Sequence, residues 1–357
     1  MGKDLDFVRK ILVLRYRSIG DILLANPALA GLRHRFGQAE IGIVVDDVFE
    51  EILHGNPNVD TVITHTRNPK GAKWKEDLNT IRKVRAGRFD MVVDLQSGPR
   101  GAWTALFSGA GLRVGHAYQI RNRICYNIIG EKPAPEDHTW KVQFKTIRPL
   151  GVAWPEKPEF HLSFPEESSV SVRARLDKAG LMFDRPLALL HPGARIQEKR
   201  WPASKMGRLA KWLVDEKNFA VVLAGSAVDE SEIKTIRRAS GYALPYFTNL
   251  SLGELAALIK MSALIVCNDS GPMHMAGVLD TPVVALFGPS DPILWEPVGE
   301  RKIILTCSPP MECMPCYQKG CPYKGDHCMT RIEVDEVKRA IGRLLAPGEK
   351  RGQRTLL

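Results

Sequence analysis

Short β-branched apolar runs alternate with longer amphipathic segments along this chain, and the alternation occurs twice. KILVLRY (10–16), EIGIVVDD (40–47), DTVITH (60–65) and FDMVVDLQ (89–96) read as strands, with helical segments between them and a first helix over ILLANPALAGLRHRF (22–36). A Pro-rich stretch, WPEKPEFHLSFPEE (154–167), interrupts the pattern. It restarts with PLALLHPG (186–193), NFAVVLAGS (218–226), SALIVCND (262–269), PVVALFG (282–288) and RKIILT (301–306). Helices are predicted from about Ala203, Asp229 and Gly271, with a last one over 333–345. Such alternation builds parallel sheets, so the chain is predicted to be α/β. Two domains are expected, 1–160 and 161–345, followed by a frayed tail, 346–357. The halves share a pattern and not a sequence.

The polar motifs fall where the predicted strands end: Arg17–Asp21, His191–Ala194, Gly225–Ser226, Asn268–Gly271 and Gly288–Asp291. Open α/β sheets bind ligands at that edge, and two domains presenting such edges would enclose a cleft. The most informative motif is Asn268-Asp269-Ser270-Gly271-Pro272-Met273-His274. Ser270 and Gly271 leave backbone N–H groups free at a helix start, and Pro272 suits the first turn. Orphan donors and the positive helix end then face one point, which favours an anion such as a phosphate.

Composition narrows the partners. At 357 residues the chain can build two full cores, and no apolar run approaches membrane-spanning length, so a cytoplasmic protein is expected. The net charge of +10 is concentrated: residues 67–123 hold twelve Lys/Arg against four acids. That patch suits an anionic partner (nucleic acid, an acidic membrane surface, or a phosphorylated or carboxylated substrate), or it is simply a solvated basic face.

Four constellations carry candidate chemistry. Asp21, after Ser18-Ile19-Gly20, reads either as a helix-capping acid or as a general base. His191-Pro192-Gly193-Ala194-Arg195, followed by Lys199-Arg200-Trp201, reads as a phosphate clamp or as loop cations with a packing tryptophan. Asp229-Glu230 is a sugar-hydroxyl acceptor or a plain cap, and His274 a sugar contact or a buried structural histidine. Five of seven cysteines fall within 307–328, and Cys313-x-x-Cys316 with Cys321 and Cys328 admits a four-thiolate zinc site. Reduced thiols and a redox pair are the other readings. Asp4-Leu5-Asp6 matches the acid pattern of metal-dependent sugar transferases but precedes the first strand, so it is set aside.

ILVLRYRSIGDILLANPALAGLRHRF, HPGARIQEKRWP and NDSGPMHMAGVLDTPVVALFGPSDP together resemble glycosyltransferase family 9, the ADP-heptose:lipopolysaccharide heptosyltransferases. The likeness runs from about residue 10 to 345 and includes the MPCYQKGCP segment. It implies the GT-B fold, two Rossmann-like doubly wound domains facing across a cleft. It also implies inverting heptose transfer from ADP-L-glycero-D-manno-heptose to the lipopolysaccharide inner core, with no metal required for catalysis. Carried over, Asp21 matches the base and Lys199 the cation on the diphosphate. Asp269, Ser270, Gly271 and His274 match the donor loop, alongside His191 and Gly193, with Glu230 as the donor-hydroxyl contact. Arg100, Arg113 and Arg121 are the candidates for an acidic acceptor, Kdo-lipid A or a heptosylated core, with peripheral contact at the inner membrane. Asp280 and Gly277 depart from the usual family wording, which leaves a same-fold transferase with another nucleotide sugar or acceptor as the alternative. Basic charge with CxxC also suggests a nucleic-acid-binding module, but no nucleic-acid motif is present. No GxGxxG follows the first strand, which disfavours an oxidoreductase.

Overall fold

Except for the edge strand DTVITH, which is only half-buried, the apolar runs are buried along nearly their whole length, as strands must be when helices cover both faces of a parallel sheet. The computed structural model describes residues 5–66, 73–116, 120–181, 184–316, 320–323 and 325–346. It divides into two units, Met1–Ser163 and Phe164–Leu357, and the division falls inside the Pro-rich stretch. The tail from residue 347, and Asp4, lie outside the described residues.

The first unit holds β1 (Lys10–Leu14), β2 (Glu40–Asp46), β3 (Thr61–His65), β4 (Met91–Asp94), β5 (Leu112–Gly115) and β6 (Ile128–Ile129). Its helices are α1 (Ile19–Leu23), α2 (Asn26–Arg35), α3 (Lys73–Gly87), α4 (Pro99–Phe107) and α5 (Thr139–Ile147). The second holds β7 (Leu187–His191), β8 (Ala220–Ala224), β9 (Tyr246–Phe247), β10 (Leu264–Asn268), β11 (Val283–Leu286) and β12 (Lys302–Leu305). Its helices are α6 (Glu166–Lys178), α7 (Ala203–Asp215), α8 (Glu230–Ser240), α9 (Leu252–Met261), α10 (Gly271–Val278), α11 (Pro292–Trp295), α12 (Cys328–Arg331) and α13 (Val334–Leu344).

Each unit is a six-stranded sheet, ordered β3-β2-β1-β4-β5-β6 in one and β12-β11-β10-β7-β8-β9 in the other. Counted within its own unit, the second order is the same as the first. All pairings are parallel; Ile11 sits level with Ile41 on one side and Met91 on the other, and Ile265 with Leu189 and Val283. This is the doubly wound Rossmann order, so the winding reverses between β1 and β4 and again between β7 and β10. The crevice beyond those two strand ends is where such a sheet binds its ligand.

The helix expected over 22–36 is two helices. α1 starts earlier, at Ile19, and Pro27 opens the first turn of α2. Residues 26–32 of α2 are all buried, so it lacks the expected polar face until its last turn, Arg33-His34-Arg35. Strands β5, β6 and β9 were not legible, being two to four residues long. Helix α9 is closed by a capping box: Ser251 accepts from the Glu254 N–H at 3.2 Å, and Glu254 accepts from the Ser251 N–H at 3.0 Å. Among the described residues no helix is long and apolar enough to cross a membrane.

Candidate active site

The loops after β1 and β4 build the first switch point. Arg15 is buried directly after β1; it donates to the Leu95 carbonyl at 2.8 Å and pairs with the Asp21 carboxylate. Asp21 lies in the first turn of α1, where its Oδ2 accepts from both the N–H and the hydroxyl of Ser18 at 3.0 Å. Gln143 of α5 holds the Asp21 carbonyl at 3.1 Å. Capping and catalysis are therefore compatible. A carboxylate has about four lone-pair sites, and these three donors leave one for a substrate hydroxyl.

Asp94 was not anticipated, yet it shapes the neighbouring loop. It ends β4 fully buried; Oδ1 accepts from the N–H groups of Gln96 (2.8 Å) and Ser97 (3.1 Å), and Oδ2 from the Tyr126 hydroxyl at 2.6 Å. Gly101 is needed beneath it, because a Cβ there would fall on the carboxylate. Burial pushes the Asp94 carboxyl up to about 6, against Tyr126, the two backbone donors and Arg15, which lower it. The stability this raised value contributes is fully present below about pH 4 and is lost as pH rises through about 6. Between those limits the stability of the wild type minus that of Asp94→Asn should fall by an amount on the order of 3 kcal/mol, measured by urea unfolding. A difference that stays level across the range would contradict this account.

The Asp94 turn presents Arg100 in the first turn of α4. Its Nε lies 2.8 Å from Asp77 Oδ1 and its guanidinium sits 5.4 Å from the Tyr16 ring centre. Arg100, Tyr16, Arg17, Gln96 and Trp103 line a cavity of about 880 Å³; Asp21 is not among the lining residues. Arg113 is placed differently from expectation. Its Nε and Nη1 each donate at 3.0 Å, to the Cys125 and Ala110 carbonyls, so it closes a loop beside β5 and does not line the cavity. Arg121 stands in the short 3₁₀ turn Ile120–Cys125, and its side chain lies outside the described residues.

At the second switch point one buried amide ties the parts together. Asn268 donates to the Pro192 carbonyl at 2.7 Å and accepts from the Trp201 N–H at 3.0 Å. It thus joins the ends of β7 and β10 to the loop carrying Lys199. Trp201 is itself anchored, with its indole N–H on the Ile332 carbonyl at 3.0 Å. Lys199 Nζ lies 2.5 Å from Oδ2 of the buried Asp269. Ser270 comes next in extended conformation, its hydroxyl on the Asn268 carbonyl at 3.1 Å, so its own side chain does not cap the first turn of α10. A cation and a helix start, with Gly271 at N1, therefore adjoin at this switch point.

The other predicted donor residues divide. Gly193 is required where it is, since a Cβ would lie 2.7 Å from Asp229 Oδ2 and 3.0 Å from His191 Cε1. Burial lowers the His191 pKa, opposed by Asp229, so the imidazole is neutral at pH 7. Arg200 braces the loops, 3.1 Å from Asp229 and 2.6 Å from Glu232. Asp229 also accepts from the N–H and hydroxyl of Ser226 at 2.9 and 2.7 Å, so it is the cap of that turn. Glu230 opens α8 with a half-exposed side chain 3.8 Å from Lys234. His274 is buried within α10. The unusual Gly277 has a packing reason, as a Cβ would strike the Val298 carbonyl. Asp280 takes a left-handed φ of 54° just after the α10 C-cap, a conformation aspartate tolerates better than most residues.

Cys313, Cys316, Cys321 and Cys328, with His327, line a cavity of about 200 Å³ beside Glu198. All are free thiols. Burial, then the nearby Cys307, pushes the Cys328 thiol up to about 11. As placed, no three His, Cys, Asp or Glu side chains among the described residues are positioned to hold one metal ion.

Comparison with known proteins identifies the family. The sequence pattern of glycosyltransferase family 9 (heptosyltransferase) matches residues 78–327, well over half of the chain. Lipopolysaccharide heptosyltransferase 2 of Escherichia coli (strain K12) is 26% identical over 317 residues, 83% of this chain and 87% of that protein. The glycosyl transferase family 9 structure from Veillonella parvula DSM 2008 matches with a TM-score of 0.83 at 23% identity, covering 96% of this chain and 99% of that one. The E. coli heptosyltransferase WaaC with ADP matches with a TM-score of 0.71 at 20% identity, covering 94% and 99%. Likeness over nearly the full length shows the GT-B fold. With the family pattern running from α3 of the first unit through the second sheet, the chain belongs to glycosyltransferase family 9, the heptosyltransferase family, and is a glycosyltransferase.

Proposed function

We propose that this protein transfers heptose from ADP-L-glycero-D-manno-heptose to the lipopolysaccharide inner core, with inversion and with no metal in the chemical step. The observation that carries the reading is the Lys199–Asp269 pair beside the start of α10, at the switch point of the second sheet. The Lys199 ammonium, held in place by Asp269, and the N–H groups of Ser270 and Gly271 supply donors that suit a sugar diphosphate. The acceptor, Kdo-lipid A or an already heptosylated core, is assigned to the first unit, its anionic part in the Arg100 cavity and its attacking sugar outside that cavity, at Asp21. Its hydroxyl attacks the anomeric carbon as Asp21 takes the proton. The bond from that carbon to the diphosphate oxygen breaks on the opposite face, and ADP leaves with its charge met by Lys199 and the N–H groups of Ser270 and Gly271 at the start of α10. One displacement inverts the centre. The acceptor is a glycolipid, so the reaction is assigned to the cytoplasmic side of the inner membrane, with the protein docked peripherally.

A panel of nucleotide sugars offered with Kdo-lipid A and heptosylated acceptors, read by mass spectrometry, tests this. ADP-heptose is expected to give a product heavier by one heptose, at an unchanged rate in the presence of chelator. Turnover of a different nucleotide sugar alone would assign the protein to the same-fold alternative.

A structural zinc on Cys313, Cys316, Cys321 and Cys328 is a separate proposal that rests on the CxxC spacing. The four thiols line one cavity but, as placed, no three of them are set to hold one ion, so binding would draw them together. Elemental analysis of purified protein before and after chelation decides it. Bound zinc in the native protein is the expected result, and none in undamaged protein sinks the idea.

A further inference from the structure

Two neighbouring helices of the first unit leave large apolar side chains uncovered on one face. Trp74 (61% exposed) and Leu78 (41%) are one turn apart on α3, and Trp103 (51%) and Phe107 (47%) one turn apart on α4. The α4 pair stack with ring centres 5.7 Å apart. Arg85 of α3 donates to the Phe107 carbonyl at 3.2 Å, and Trp74, Leu78 and Trp103 line the same cavity as Arg100. Ile124 (71% exposed) extends the patch on the 3₁₀ turn that packs against α4. Single exposed apolar residues need no explanation, but five drawn together from three elements form a patch. The exposed charges around it are basic, Lys75, Arg82, Arg85, Arg88 and Arg123, and they outnumber the half-buried Glu76 and Asp77 that line the cavity beside Trp74 and Leu78. Aromatic and aliphatic side chains ringed by Lys and Arg match the boundary of an anionic bilayer, where rings enter the headgroup layer and cations meet the phosphates.

We propose that the α3–α4 face, with Trp74, Leu78, Trp103, Phe107 and Ile124 inserted and Lys75 and Arg82 on headgroups, docks this protein on an anionic lipid surface. The inference deepens the proposed peripheral docking and names its surface. It places the mouth of the Arg100 cavity against the bilayer, where a glycolipid acceptor would present its sugars.

Flotation with phosphatidylcholine vesicles, with and without phosphatidylglycerol and free of any lipopolysaccharide, tests it using the full chain. Binding is expected only when phosphatidylglycerol is present, weakening as salt is raised. Phe107→Ser/Ile124→Ser should lower the partition coefficient at least about tenfold. Lys75→Glu/Arg82→Glu, at exposed positions, should lower it by a similar factor. Thermal unfolding of all variants is followed in parallel. Failure of the wild type to bind anionic vesicles, or wild-type partition in both variants, overturns the proposal. Self-association of the wild type without lipid that Phe107→Ser/Ile124→Ser abolishes would also overturn it, reassigning the face to a second copy of the chain. Because the vesicles carry no acceptor, failure here leaves the heptose-transfer reading standing, and failure of the sugar panel leaves the vesicle result standing.

Discussion

Replacing Asp21 with asparagine is expected to lower transfer by about 10²–10⁴-fold while ADP-heptose binding stays close to wild type, because general-base catalysis contributes factors of that size. The asparagine is the better probe for a geometric reason. Asp21 carries a structural load as well, accepting from Ser18 and pairing with the buried Arg15. Alanine strips all of that at once, with a cap loss of about 1 kcal/mol and a buried guanidinium left without its carboxylate. Asn keeps one acceptor oxygen and the side-chain volume. It removes the capacity to take a proton and also the charge paired with Arg15, so it disturbs the site, though less than Ala does. Single-turnover rates and ADP-heptose titration on both variants, with unfolding curves beside them, separate lost chemistry from lost structure. Wild-type turnover in Asp21→Asn would take Asp21 out of the mechanism.

Lys199→Ala is expected to cost about 10²–10³-fold in turnover, the range seen when a donor to developing negative charge is removed. It should also weaken ADP binding, for a reason visible only in the structure. Lys199 stands 2.5 Å from Asp269, which is buried. Removing the cation leaves a buried carboxylate facing the place proposed for a diphosphate, so repulsion is added to lost attraction. Lys199→Ala/Asp269→Asn should therefore bind ADP more tightly than Lys199→Ala, and the double-mutant cycle should show clear coupling. Strictly additive effects, or wild-type ADP binding by the single variant, would remove the pair from the donor site.

Much of the site was legible before the fold was known, because its parts sit at strand ends and local chemistry marks them. Ser270-Gly271-Pro272 announces a helix start, and α10 begins at Gly271. Ser18 and Asp21 announce a cap, and the carboxylate is found on Ser18. Residues whose role depends on distant partners were not legible. Asp94 looked like the end of one more strand, and only contact with Tyr126, 32 positions away, makes it the organiser of the Arg100 loop. Arg113 and Arg100 carry the same charge in the same basic segment, yet one is consumed by backbone carbonyls and the other lines a cavity. Lys199 and Arg200 are adjacent, but Arg200 is held by Asp229 and Glu232 while Lys199 meets Asp269.

Periodicity and turn chemistry are local, and they alone determined that this chain is α/β, that it is built in two halves, and that its polar motifs lie at strand carboxyl ends. Strand order is not local. Nothing within a single strand says which neighbour it will take, and that choice is made by which faces can be buried together. Only the folded sheets put β1 beside β4 and β7 beside β10, twice producing the same reversal of winding. That pairing carries Asn268 and Asp269 to the loops of His191 and Lys199, some 70 residues away, and turns separate polar turns into one place where a phosphate can be held.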